Sequence, residues 1–103
     1  MAKGYWIARV DVTDDEAYKN YVAANAEPFA AFGGRFIVRG GNQEAVEGRS
    51  RSRNVVIEFP SYAAALKCYR SPAYQHALTL RANASEAEIL IIEGYDGPQP
   101  GDG

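Results

Sequence analysis

The sequence predicts an α+β fold in which one four-stranded antiparallel sheet carries helices on a single face. Three observations lead there. Four stretches rich in aromatic and β-branched residues read as strands. The segments between them open on helix-capping residues followed by apolar positions close to a 3.6-residue period. The strand side chains also sort into one wholly apolar face and one mixed face, the pattern of a sheet covered on one side.

The elements follow in order. "GYWIARV" (Gly4 to Val10) is the first strand. Thr13 and Glu16 form a capping box, so a helix is expected from Asp14. Its apolar positions include Tyr18, Tyr21, Val22, Phe29 and Phe32. Pro28 removes one backbone donor and predicts a kink or break. Gly33 suits the left-handed residue that ends a helix. "RFIVR" (Arg35 to Arg39) is the second strand, and Gly40, Gly41 and Asn42 turn the chain. "QEAVEG" reads as a short edge strand and "RSRSR" (Arg49 to Arg53) as a polar loop. "NVVIEF" (Asn54 to Phe59) is the next strand, stopped by Pro60. Ser61 caps a helix through about Arg70, and Ser71-Pro72 restarts one through about Ala82. "AEILIIEGY" (Ala87 to Tyr95) is the last strand. The order β-α-β-β-α-β is the ferredoxin-like plan, with strand order 4-1-3-2. One domain over residues 1–96 is expected, followed by a flexible tail over 97–103 with no apolar content.

Alternation assigns Trp6, Ala8, Val10, Phe36, Val38, Val55, Ile57, Phe59, Leu90 and Ile92 to the helix side. The other face receives Tyr5, Ile7, Arg9, Arg35, Ile37, Arg39, Asn54, Val56, Glu58, Ile89, Ile91, Glu93 and Tyr95. Its five aliphatic side chains form a patch of the kind that marks an interface. A homodimer through this face, about a two-fold axis, is therefore expected.

Other classes are excluded or unsupported. The formal net charge of −2 gives no electrostatic case for nucleic acid or an anionic membrane. No apolar run approaches the ~20 residues of a membrane span. With no signal-peptide pattern at Met1 to Val10, a cytoplasmic location is expected. Cys68 is the one cysteine, so neither an internal disulfide nor a thiolate cluster can form. No dinucleotide fingerprint or P-loop is present, and no ligand spacing supports a metal, so no cofactor is expected. His76, the one histidine, lies in a helix away from the polar residues of the sheet and reads as structural.

Those polar residues are the candidate site. Arg35 and Arg39 would anchor an anionic group, Glu58 would act as acid or base, and Tyr5 would orient a ligand. Arg9, Asn54 and Glu93 join them as ligand-binding candidates. Tyr5, Arg35, Glu58 and Glu93 are expected at one end of the sheet, and Arg9, Arg39 and Asn54 at the other. A cavity between the sheets, or beside the helices, would hold a small polar or anionic molecule.

The stretches "GYWIARVDVTD", "YVAANAEPFAAFGGRFIVRGG", "RNVVIEFPSYAAALKCYRSPAYQ" and "EGYD" resemble the domain-of-unknown-function family DUF1330 over nearly all of Gly4 to Asp96. The resemblance implies a dimeric α/β barrel, in which two ferredoxin-like subunits press their sheets together. Relatives in that broad fold include monooxygenases and isomerases, but fold alone does not carry function. Two functions stay open: a small-molecule enzyme, and a non-catalytic ligand-binding or stress-related dimeric module. A closed pocket over ~300 Å³ with converging polar groups would favour the enzyme.

Overall fold

The computed structural model describes residues 2–102. Its elements are β1 (Gly4–Val12), α1 (Asp15–Ala31), β2 (Arg35–Arg39), β3 (Arg53–Phe59), α2 (Tyr62–Arg70), α3 (Pro72–Arg81) and β4 (Ser85–Glu93). The sheet order is β2-β3-β1-β4, with every neighbouring pair antiparallel, as the sequence predicts.

Local chemistry sets the helix ends. Asp14, one residue later than expected, is the N-cap of α1, its carboxylate accepting from the Ala17 N–H at 3.1 Å. The strand explains the shift: β1 stays paired to Val12, and the Thr13 and Asp14 N–H groups then both donate to the Ala84 carbonyl. Helix α1 does not break at Pro28 but runs three residues beyond it. Pro28 sits in the last turn, where its missing donor costs a single bond, and it is buried. The helix ends in a Schellman motif: the Gly34 N–H reaches the Phe29 carbonyl at 2.8 Å and the Gly33 N–H reaches that of Ala30 at 3.2 Å. Gly33 supplies the left-handed φ of 77° this requires. Ser61 caps α2 through the Ala64 N–H, and Ser71 caps α3 through that of Tyr74.

The core lies between one sheet face and the helices. Trp6, Ala8, Val10, Val55, Ile57 and Phe59 of the sheet meet Tyr21 and Phe29 of α1, Ala65 and Cys68 of α2, and Tyr74 and Ala77 of α3. Trp6 is central, with Tyr74 edge-on at 4.8 Å and Phe29 edge-on at 5.1 Å. Its indole N–H donates to the Ala65 carbonyl at 2.9 Å. Burial pushes the Cys68 thiol up to about 12, in keeping with a packing role.

Two strands depart from the predicted alternation. In β4, Ile91 pairs with Trp6 and Ile89 with Ala8, so both pack on the core. Leu90 and Ile92 face the other way and stay about half exposed. In β2 a bulge lies between Phe36 and Val38. The extra residue shifts the phase: Val38 pairs with Val56 on the open face, and Arg39 pairs with Val55 on the helix side. The open face nevertheless keeps five aliphatic side chains: Ile7, Val38, Val56, Leu90 and Ile92.

The segment "QEAVEG" forms no strand. Gly40, Gly41 and Gly48 all take positive φ, and Val46 stays exposed with no apolar face to meet. Hydrogen bonds from side chains hold this loop instead: Gln43 donates to the Arg51 carbonyl, and Asn54 donates to Gln43.

Gly4 marks the closest approach of β1 to α2. A Cβ there would lie 2.6 Å from the Tyr62 Cα, a backbone atom that cannot swing aside. Gly4→Ala is expected to cost ~1–3 kcal/mol, the range for overpacking. Thermal unfolding followed by circular dichroism should show the midpoint falling by roughly 5–20 °C.

Candidate functional site

The predicted site residues divide into three groups. Tyr5, Glu58 and Arg35 do meet on the open face: Tyr5 and Arg35 are both register partners of Glu58. The Tyr5 hydroxyl donates to Glu58 Oε2 at 3.2 Å. Partial desolvation first, and the Glu58 carboxylate second, push the Tyr5 hydroxyl pKa up. Among the described residues, no Arg35–Glu58 ion pair forms.

Arg9 and Asn54 face each other at the other end of that face. Both hold the loop between β2 and β3, Arg9 through the Arg49 carbonyl at 3.1 Å and Asn54 through Gln43 and the Arg51 carbonyl. The third group leaves the open face. Glu93 pairs with Gly4 and shares the phase of Ile91, so it does not join Tyr5. Arg39 is carried to the helix side by the bulge, where its guanidinium lies 4.1 Å from the Phe36 ring centroid. Periodicity alone could not reveal either displacement, since both depend on register.

A different site lies where Arg39 now points. A cleft of about 30 Å³ opens between the sheet, α1 and the end of α3. Trp6, Tyr21, Phe29 and Ile57 form its apolar depth, and Arg39, Arg53 and Arg81 stand around it with Tyr18 and Asn25. Asn25 is a buried polar residue at 6% exposure. The Nε atoms of Arg53 and Arg81 are buried without a partner. Buried polar groups are normally satisfied, so these two Nε atoms on one cleft are exceptions.

The tyrosines are held by the same charges. Desolvation, then Tyr21, push the Tyr18 hydroxyl pKa up, while Arg53 and Arg81 pull it down. Desolvation dominates at Tyr74 as well. The Tyr21 and Tyr74 hydroxyls share a hydrogen bond of 2.8 Å, and the Arg81 guanidinium lies 5.4 Å from the Tyr21 ring centroid. No carboxylate, imidazole or thiol lines the cleft among the described residues.

Sequence reading missed Arg53, Arg81 and Asn25. A signal for Arg53 exists: it sits two residues before Val55, in phase with Ile57 and Phe59, once the strand is extended back by one residue. Arg81 closes a helix and Asn25 lies inside one, and neither has a comparable mark.

Arg51 provides the contrast. Its guanidinium meets Asp11 at 2.8 Å, Glu88 at 2.9 Å and Glu86 at 3.6 Å. It therefore pins the loop to β1 and β4 and has its charge balanced. His76 is exposed on α3. Among the described residues no three His, Cys, Asp or Glu side chains gather as a metal site. No helix there is long and apolar enough to cross a membrane.

Fold and cleft together define a ferredoxin-like α+β domain with a small opening between its sheet and helices. The chain belongs to the DUF1330 family, a domain of unknown function, whose sequence profile matches residues 3–95. A protein of unknown function from Rhodopseudomonas palustris has a similar structure at 19% identity, with a TM-score of 0.76 over 93% of this chain and 85% of that one. SnoaB, a cofactor-independent oxygenase from Streptomyces nogalater, is similar at 15% identity, with a TM-score of 0.62 over 94% and 97%. A dimeric ferredoxin-like protein of unknown function from Thermobifida fusca is similar at 14%, with a TM-score of 0.60 over 89% and 91%. No curated protein matches the sequence.

The Arg51 cluster predicts a pH dependence. The Ser52 N–H first, then Arg51, hold Asp11 below its ordinary 3.8, and Arg51 holds Glu88 below its ordinary 4.5. Depressed carboxyl pKa values stabilise the fold above the unfolded values, and the gain is lost as pH falls through the folded ones. The unfolding midpoint should therefore drop between about pH 5 and about pH 3. Arg51→Gln should lower the midpoint at neutral pH and flatten that drop.

Proposed function

We propose that the protein is a homodimer that binds a small polar or aromatic molecule in the cleft between its sheet and helices. One observation carries the binding reading: Arg53 and Arg81 each keep a buried Nε without a partner, and both line the same opening, with Asn25 beside them. A protein without a ligand there would gain stability by replacing them with apolar groups.

Binding fits the cleft better than general-base catalysis. Its Tyr18 hydroxyl has a raised pKa, and no group there has an ordinary pKa near neutrality. A volume of about 30 Å³ is also far below the ~300–1,000 Å³ of sites for drug-sized ligands. The fold shared with an oxygenase keeps a second reading, conversion of a small molecule. The Tyr5–Glu58 hydrogen bond, with Arg35 beside it, supports that reading as an acid–base set on the face where the partner would sit.

The open face supports the dimer. Ile7, Val38, Val56, Leu90 and Ile92 leave apolar area in water, and covering a Val, Leu or Ile fully is worth ~1.5–3 kcal/mol. The Thermobifida fusca protein of the same fold is described as dimeric.

Two measurements test the proposal. Light scattering after size exclusion should give twice the 11.2 kDa chain mass, and Leu90→Lys should shift it to one chain without loss of helical signal. A thermal-shift screen of small polar and aromatic compounds should raise the wild-type midpoint. Asn25→Leu should abolish that rise while matching or exceeding the wild-type midpoint without ligand. A screen with no stabilising compound, together with an Asn25→Leu protein that is less stable, would count against the cleft as a binding site.

A further inference from the structure

We infer that the occupant of the cleft is a small organic acid, with one short apolar group inside and its carboxylate on Arg39, Arg53 and Arg81. The inference rests on the cleft being a binding site, and adds the charge, size and orientation of what binds.

Charge comes first. Arg51 is matched by three carboxylates, but among the described residues no carboxylate lies within ion-pair distance of Arg39, Arg53 or Arg81. Two of them have aromatic rings instead, Arg39 over Phe36 and Arg81 over Tyr21, and Arg53 acts on the Tyr18 hydroxyl. Ring faces attract and orient a guanidinium without neutralising it. Three like charges around one small opening repel one another, and an anion removes that repulsion. The planar fork of arginine suits a carboxylate.

Size and orientation follow from burial. Trp6, Tyr21, Phe29 and Ile57 are each at most 5% exposed and form the depth of the cleft. Arg53 and Arg81 are partly exposed and Arg39 is exposed, so the charge lies at the mouth. An acid therefore enters apolar end first. A volume of about 30 Å³ admits one small apolar group, not a multi-ring scaffold. Asn25, buried beside that group, takes one polar substituent of the ligand through its side-chain amide.

Trp6 lines the cleft and is the chain's one tryptophan, so its fluorescence reports occupancy. The protein would be titrated with acetate, propionate and butyrate, with their neutral alcohols, and with inorganic phosphate. At least one acid is expected to bind, and its alcohol to bind roughly 10- to 100-fold more weakly. Arg53→Gln and Arg81→Gln should weaken the acid by a similar factor and leave the alcohol unchanged. An acid and alcohol that bind wild type equally would overturn the charge assignment and leave the cleft reading standing. Failure of every acid and alcohol to change Trp6 emission or heat of mixing would overturn both. Inorganic phosphate binding as tightly as the acids would overturn the apolar half. The acid–alcohol comparison needs only wild type, so it decides even where a variant fails to fold.

Discussion

Trp6 joins the layers of this protein. It stands on the central strand β1, and its indole N–H reaches across to the Ala65 carbonyl in α2. Its ring faces meet Phe29 from α1 and Tyr74 from α3. One side chain thus fixes the distance of all three helices from the sheet. The contact is apolar over most of its area and directional at one atom, a combination that orients as well as stabilises. The cleft depends on it, because Trp6 is also part of its depth. The close approach of Gly4 to α2 begins two residues earlier on the same strand.

Around that anchor, the two ends of the helical layer differ. Near α2 the interface is closed, with Phe59, Ala65 and Cys68 fully buried. Near the end of α3 it is open, and arginines replace apolar side chains. The β2 bulge is part of this arrangement. Without it, Arg39 would face away from the helices; with it, the guanidinium lies over Phe36 beside Arg53. Bulges are often placed where a strand must re-aim a side chain. Here the re-aimed residue is one of the three arginines that line the cleft, none of which has a carboxylate partner among the described residues.

The cleft breaks the rule of polar satisfaction that the rest of the fold keeps. The fold satisfies its polar groups elsewhere: Ser61 and Ser71 cap helices, Tyr21 and Tyr74 share a bond, and Arg51 meets three acids. The two arginine Nε atoms are the exceptions. Sites where local rules are broken amid general consistency are where function is expected. Family membership gives no reaction to assign, and a fold shared at 14–19% identity with proteins of differing description carries architecture alone.

The sequence by itself determined the element order, the strand order and the helix-stop at Gly33-Gly34. These rest on local signals: capping side chains, strand composition, and glycine where φ must be positive. It also brought Tyr5, Glu58 and Arg35 together correctly, because antiparallel pairing of β1, β3 and β2 carries them into register. Only the tertiary structure decided which way Arg39, Leu90, Ile92 and Glu93 point. A strand's two faces differ by one residue of phase, and a bulge or shifted strand start reverses them with no local mark. The cleft was beyond sequence reading for a related reason. Arg39, Arg53, Arg81 and Asn25 come from two strands and two helices, and nothing in their spacing says that packing Trp6 against all three helices leaves an opening where they meet.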